Sequence, residues 1–386
     1  MRRHALSWST RSGRALVVQG ALLALLVVAG VALWRNTQGA LAARQIRSGF
    51  SFLSQPAGFD IGEGPVPYTP RDSYLVAFGA GLANTLRVSA LGILLATVLG
   101  ALVGVGRLSR NVLVRAGCTA YVEVLRNVPL VILLFGAYLV LTEILPEAAE
   151  PIALPGSIFL SKGGLQAPRP LWAAGWGAAL VGLPLGGAAA WLLARWARAR
   201  RARTGRGWPV GWAGLGLVLA GPLVGWLSGG APRELELPAP GPFGVAGGLS
   251  LTPEFLALLI GLTLSTAASI AEIVRSGLLA VSHGQAEAAG ALGLTPRQST
   301  RLVLLPQALR VIIPPLTSQF LNLTKNSSLA VAIGYPDLVS IANTAMNQNG
   351  QALECILIIM AVYLSVNLAT ALLMNLYDRR AALVER

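Results

Sequence analysis

The chain has 386 residues, of which 54% are hydrophobic and only 12% are charged, against roughly 25% charged in an ordinary soluble domain. Too few polar side chains are present to cover the one to three soluble domains such a length would form, so lipid must be the solvent for much of the surface. The net charge of +14 raises nucleic acid as a partner, but few of the arginines fall inside apolar runs, and in short loops they read as topology signals; no nucleic acid is expected.

A helical span needs about 20 mainly apolar residues. Segments that meet this lie near 16–34, 79–106, 119–142, 171–194, 209–228, 254–279, 307–334 and 353–377. The first follows a basic start, MRRHALSWSTRSGRA, and no small-residue cleavage site clearly ends it, so a retained span is expected rather than a secretory signal. The stretch 35–73 reads as a longer outer connection packed against the membrane surface, and the Pro/Gly-rich pieces 146–170 and 229–253 read as turn-rich outer loops. A closed barrel is excluded, because the apolar runs are continuous and longer than alternating strands of about ten residues. Cys118 and Cys355 fall in apolar stretches and supply no metal spacing or disulfide framework. The fold class expected is an all-α integral membrane protein with about eight transmembrane helices.

Loop charge sets the orientation. Arg2, Arg3, Arg11 and Arg14 precede the first span, and Arg107, Arg110 and Arg115 lie between the second and third. RWARARRARTGR (195–206) separates the fourth from the fifth, Arg297, Arg301 and Arg310 surround the next such connection, and Arg379, Arg380 and Arg386 follow the eighth. Glu143, Glu147, Glu150, Glu234 and Glu236 occupy the opposite loops. The positive-inside rule then puts both termini in the cytoplasm, which requires an even number of spans, and eight fits.

One cytoplasmic connection differs from the rest: GQAEAAGALGLTPRQSTRLVLLPQALRVIIPP (284–315). Its Ala-rich start at Glu287 to Gly290 is helical by propensity, and Gly293 can supply the left-handed residue that ends such a helix. Thr295 reads as an N-cap, Pro296 as the first helical residue and Gln298 as the capping-box partner. Two short helices at an angle, joined by a tight turn, follow. An ordinary amphipathic connector satisfies the same physics; a DNA-reading helix-turn-helix does not, since both ends enter the bilayer at once.

The segment resembles the EAA loop of permease subunits in binding-protein-dependent ABC importers: EAA, three residues, Gly, nine residues, Ile, one residue, Leu-Pro. The matching positions are Glu287, Ala288, Ala289, Gly293, Val303, Leu305 and Pro306, with Val for Ile as the one departure. The likeness continues through 81–104, YVEVLRNVPL (121–130), AEIVRSGLLAV (271–281), LNLTKNSSLAVAIGYPDLV (321–339) and the ending YDRRAALVER, which are similar to polar amino-acid permeases of the histidine/glutamine/arginine group and to general L-amino-acid permeases with extra spans. The resemblance implies a type I importer transmembrane fold, MetI-like, with a five-helix core and peripheral additions. The chain would divide into 1–74, 75–142, an insert at 143–250 carrying spans four and five, and 251–386 with the coupling loop at 284–306. It further implies two ATPase subunits, into which that loop docks, a second and paralogous permease, and an extracytoplasmic amino-acid-binding protein. No cofactor is expected on this chain, ATP and magnesium belonging to the ATPase, and no metal.

A polar residue inside a span is costly and marks a pathway. The seventh span carries Gln319, Asn322 and Asn326 at i, i+3 and i+7, with Lys325 beside them and Ser327 and Ser328 following. Pro314 and Pro315 are expected to kink it earlier. Lys325 is one of two lysines against 28 arginines, and its compact ammonium suits a substrate carboxylate. Two readings stay open, a substrate contact or a lysine that snorkels outward or pairs with Asp337; the matching segment of the family is associated with amino-acid binding. Glu272 and Arg275 have the spacing of a structural ion pair, the preferred reading. Glu123 and Arg126 allow that choice or a cross-helix gate, and Asn84 and Thr85 face the pathway or another helix.

There is no GxxxxGK[ST] loop, and neither His4 nor His283 has a Ser or Asp constellation around it, so the chain is not expected to be an enzyme. The expectation is a bacterial inner-membrane permease subunit that imports polar or general L-amino acids, driven by ATP hydrolysis on its partner. The alternative is an ion-gradient-driven secondary amino-acid transporter, which calls for midplane carboxylates and inverted repeats.

Overall fold

The computed structural model describes residues 11–43, 49–205, 210–231, 233–242 and 244–381; Arg2, Arg3, Arg206 and Arg386, used above to orient the chain, lie outside them. In chain order the helices are α1 (Arg11–Ala43), α2 (Tyr74–Gly106), α3 (Val112–Asn127), α4 (Leu130–Leu139), α5 (Ala174–Thr204), α6 (Val210–Ser228), α7 (Pro253–Leu279), α8 (His283–Ala291), α9 (Pro296–Ser299), α10 (Leu305–Asn326), α11 (Leu338–Asn349) and α12 (Ala352–Ala381). They group into two compact units, one of residues 1–135 with 258–386, the other of Gly136–Ala257.

In the larger unit one buried cluster joins α2, α11 and the start of α12. Phe52, Tyr74, Ala77, Phe78, Leu338, Ile341, Ala342, Ala345 and Cys355 are buried together. Small residues set how near the helices come. A Cβ at Gly100 of α2 would fall 2.7 Å from Ile270 Cβ and 2.8 Å from the Ala267 carbonyl oxygen of α7, and one at Gly81 would fall 3.1 Å from Leu338 Cα of α11. Glycine permits backbone approaches that any side chain would block, the usual basis of helix contacts in lipid.

Among the described residues, five helices are long and apolar enough to cross a bilayer: α2, α5 (from Gly175), α6, α7 and α12 (to Met374). Two further spans are broken. The expected straight span at 119–142 bends by 105° between α3 and α4, because Pro129 cannot donate to the ladder and holds Val128 extended at φ −88°, ψ 126°. The expected span at 307–334 continues from α10 as a 3-10 segment, Ser327–Ile333, turns at Gly334 (φ 81°) and bends by 50° into α11. Pro314 and Pro315 do not break α10, which runs unbroken through both. The remaining expected span, near 16–34, falls on α1, a helix of 33 residues.

The smaller unit pairs α5 with α6, where glycines meet backbone on the facing helix at Gly182, Gly186, Gly221 and Gly225. Its Pro/Gly-rich pieces are not plain loops. They form short antiparallel strands: β1 (Ile152–Leu154), β2 (Ile158–Ser161), β3 (Gly164–Ala167), β4 (Arg169–Pro170), β5 (Leu235–Glu236), β6 (Ala239–Gly241), β7 (Gly244–Ala246) and β8 (Leu249–Leu251). The main sheet has the order β1-β2-β3-β8, and the β2–β3 hairpin closes through Lys162-Gly163, with Lys162 Nζ 2.7 Å from the Glu147 carboxylate.

Candidate functional site

The 284–306 connection folds as two helical pieces around a tight turn. α8 ends where the Gly293 N–H donates to the Gly290 carbonyl at 2.9 Å and the Leu294 N–H to the Ala289 carbonyl at 3.1 Å, with Gly293 at φ 74°. A left-handed residue there lets the chain reverse while the last carbonyls keep partners. Thr295 then caps α9: its Oγ accepts from the Gln298 N–H at 3.4 Å, and Gln298 Oε1 accepts from the Thr295 N–H at 2.9 Å. α9 is a single turn that passes through a π-type segment, Thr300–Leu304, holding Val303, into α10, which opens with Leu305 and Pro306. Glu287 and Ala288 are exposed and Ala289 is buried. Gln307 donates to Gln285 at 3.2 Å and ties the two limbs of the loop. Leu292 and Leu302, 81% and 63% exposed, were not singled out from sequence; their place as leucines in a loop outside the spans is the signal that could have found them.

On α10 the helical spacing puts Ser318, Asn322, Lys325 and Asn326 on one exposed face, with Gln319 half-buried at its side. Ser327 and Ser328 do not extend that face. Ser327 is fully buried and its hydroxyl donates to the Thr324 carbonyl at 2.8 Å, while Ser328 donates to the Lys325 carbonyl at 2.7 Å. Lys325 has no ion pair within 4 Å among the described residues, and the pairing with Asp337 does not form. Asp337 is buried and caps α11 instead, accepting from the Ser340 N–H at 2.8 Å, with the Tyr363 hydroxyl 3.5 Å away.

Glu272 and Arg275 do pair, at 2.8 Å. The same carboxylate takes a second cation that sequence reasoning missed, Arg107 at the C-terminal end of α2; the two are 165 residues apart in sequence, beyond any local pattern. Glu123 and Arg126 form no ion pair among the described residues. They line a cavity of 420 Å³ with Arg107, Val122, Asn127 and Glu272, and the Asn127 amide donates to the Glu123 carbonyl at 2.7 Å. Asn84 and Thr85 face neighbouring elements. Asn84 Nδ2 donates to the carbonyls of Glu63 and Pro336 at 2.8 and 2.9 Å, Thr85 Oγ1 accepts from the Leu338 N–H at 3.1 Å, and Glu63 pairs with Arg87 at 2.9 Å. This network pins Pro336, in the connection before α11, and the start of α11 onto α2.

A multi-pass helical chain with an exposed, capped loop between spans and a lysine, without an ion pair among the described residues, on an exposed polar helix face has the build of a membrane transport subunit. The sequence profile of the binding-protein-dependent transport system inner membrane component matches residues 92–383, and the chain belongs to that family. It is a multi-pass inner-membrane protein. It is 44% identical over 391 residues to the general L-amino acid transport system permease protein AapQ of Rhizobium johnstonii, covering 99% of this chain and 97% of the relative. It is 43% identical over 388 residues to the putative amino-acid ABC transporter permease protein YhdX of Escherichia coli K12 (99% and 98%). It is 41% identical over 404 residues to the glutamate/glutamine/aspartate/asparagine transport system permease protein BztB of Rhodobacter capsulatus (97% and 95%). A solved amino acid ABC transporter with histidines aligns over 80% of this chain and 95% of its own at a TM-score of 0.47 and 20% identity; the assignment rests on the sequence relatives.

Proposed function

We propose that the chain is the permease subunit of an ABC importer that carries polar or general L-amino acids inward across the bacterial inner membrane. The observation that carries this reading is full-length likeness: three relatives named for amino-acid transport align over 97% or more of this chain. The MetI-like arrangement, with the core on α2, α3–α4, α7, α10–α11 and α12, belongs to the same reading. So does the orientation, with both termini and the 284–306 loop in the cytoplasm, supported by the arginines around that loop.

The loop is then the coupling element toward an ATPase dimer. Its capped turn holds Glu287, Ala288 and Gly293 outward, and Leu292 and Leu302 offer apolar side chains to a groove on the partner. Val303, Leu305 and Pro306 pass its movement directly into α10, the helix that bears the polar face. Lys325, exposed and without an ion pair among the described residues, offers its ammonium to the substrate carboxylate, and Gln319, Asn322 and Asn326 offer amides beside it. A second, paralogous permease covers that face, and an extracytoplasmic binding protein delivers the amino acid. Ser327 and Ser328, whose hydroxyls are used by α10 itself, support the helix end rather than the ligand. ATP and magnesium remain on the partner subunit.

Co-purification with a partner ATPase tests the coupling role. Wild type retains the ATPase, and Glu287→Lys and Gly293→Asp lose both retention and amino-acid uptake. Retention of the ATPase by both variants at wild-type level would remove the loop from the interface.

A further inference from the structure

The α5–α6 pair carries a second kind of site. Gly177, Val181, Leu185 and Ala189 on α5, with Leu217 and Val224 on α6, are among the residues lining an apolar groove of 630 Å³ along the two helices. From Gly177 to Ala189 it runs about 18 Å at 1.5 Å per residue, close to the depth of one leaflet of a hydrocarbon core about 30 Å thick.

What lies past the end of the groove is not apolar. Following the same helix face from Ala189, the positions at i+4, i+7, i+11 and i+14 are Leu193, Trp196, Arg200 and Arg203. Counting about 20 residues of span from Gly177 places Trp196 at the bilayer boundary and both arginines in the headgroup layer. The Arg200 guanidinium stacks over the Trp196 ring at 5.3 Å. Arg200 and Arg203 are exposed and form no ion pair among the described residues. No Asp or Glu occurs anywhere between residues 151 and 233 to neutralise them.

We propose that this groove and its basic end form a binding site for one anionic phospholipid of the cytoplasmic leaflet, an acyl chain in the groove and the phosphate on Arg200 and Arg203. Topology accounts for the sign of the loop but not for the alignment: a topology signal works from any face of the helix, whereas these two arginines continue the line of the groove. A planar guanidinium meets a phosphodiester through paired N–H donors, and a juxtamembrane basic residue attracts an anionic headgroup most strongly at the surface itself.

The test is lipid retention by the full-length chain purified with its native partner subunits, read by native mass spectrometry from mixed phosphatidylglycerol and phosphatidylcholine. Wild type retains phosphatidylglycerol in preference. Arg200→Gln with Arg203→Gln lowers that preference about thirtyfold, while Arg198→Gln with Arg201→Gln, the same charge removed from other faces, leaves it in place. Val181→Trp, which fills the groove mouth, lowers retention of both lipids. Equal retention of the two lipids by wild type overturns the proposal, as does an equal effect of the two double variants. Loss of partner subunits from the Arg200/Arg203 variant with the lipid ratio unchanged also overturns it and makes the arginines a protein contact.

Discussion

Arg107, which caps the C-terminal end of α2, and Glu272 on α7 are joined in an ion pair, and the same carboxylate holds Arg275 at 2.8 Å. One acid thus ties the C-terminal end of α2 to α7 just before the chain enters the 284–306 loop. Both side chains of the Arg107–Glu272 pair are largely shielded, so water cannot replace a lost partner freely. Glu272→Gln is expected to destabilise the purified protein by roughly 1.5–3 kcal/mol, the scale of a hydrogen bond to a charged group. Arg107→Gln combined with Glu272→Gln should cost less than the sum of the single changes. Thermal unfolding in detergent reads both, and strict additivity would show that the two residues act independently.

Gly293 alone among residues 284–306 has a left-handed backbone. A Cβ there would have nothing within 4 Å, so its cost is the left-handed backbone at φ 74° alone. Gly293→Ala is expected to cost about 1–2 kcal/mol locally, while Gly293→Asn, better tolerated in that region, costs less. Hydrogen exchange across 284–304 should rise in the order wild type, Asn, Ala; equal exchange in all three would place the strain elsewhere.

Two glycines separate packing from propensity. Gly100→Ala puts a methyl group 2.7 Å from Ile270 Cβ and must push α2 from α7, an overpacking expected to cost about 1–3 kcal/mol. Gly117→Ala on α3 meets nothing within 4 Å and should be neutral or stabilising by up to about 1 kcal/mol. The melting temperature should fall in Gly100→Ala and should hold or rise in Gly117→Ala.

Lys325→Ala should raise the KM for amino-acid uptake roughly tenfold to a hundredfold, as loss of a charge-assisted hydrogen bond does, with ATPase retention unchanged. Lys325→Arg should recover only part, since a planar fork does not reproduce a compact point charge. Uptake kinetics in vesicles decide this, and an unchanged KM in Lys325→Ala takes the lysine out of the pathway.

Much of the loop was legible because its signals are local. Gly293, Thr295, Pro296 and Gln298 sit within six residues, and each acts on its own backbone or its neighbour's. Continuous apolar runs likewise announced α2, α5, α6, α7 and α12. The breaks at Val128–Pro129 and at Gly334–Asp337 were hidden for the opposite reason, since hydropathy is blind to direction and continues unchanged across a bend. The strands of the smaller unit have two to four residues, too few for alternation to stand out from turn composition. Arg107–Glu272 and the Asn84 contacts with Glu63 and Pro336 join positions far apart in sequence, which one sequence cannot pair. Lys325 was visible by its rarity, whereas the engagement of Asp337 with Ser340 and Tyr363 emerged only with the bend into α11.

The most direct measurement is radiolabelled amino-acid uptake into vesicles holding the chain with its partner subunits, with ATP, binding protein and ion gradient varied one at a time. Uptake should require ATP and the binding protein and should persist when an ionophore collapses the gradient. Uptake that proceeds without ATP and stops with the gradient would contradict the importer account and put an ion-coupled transporter in its place.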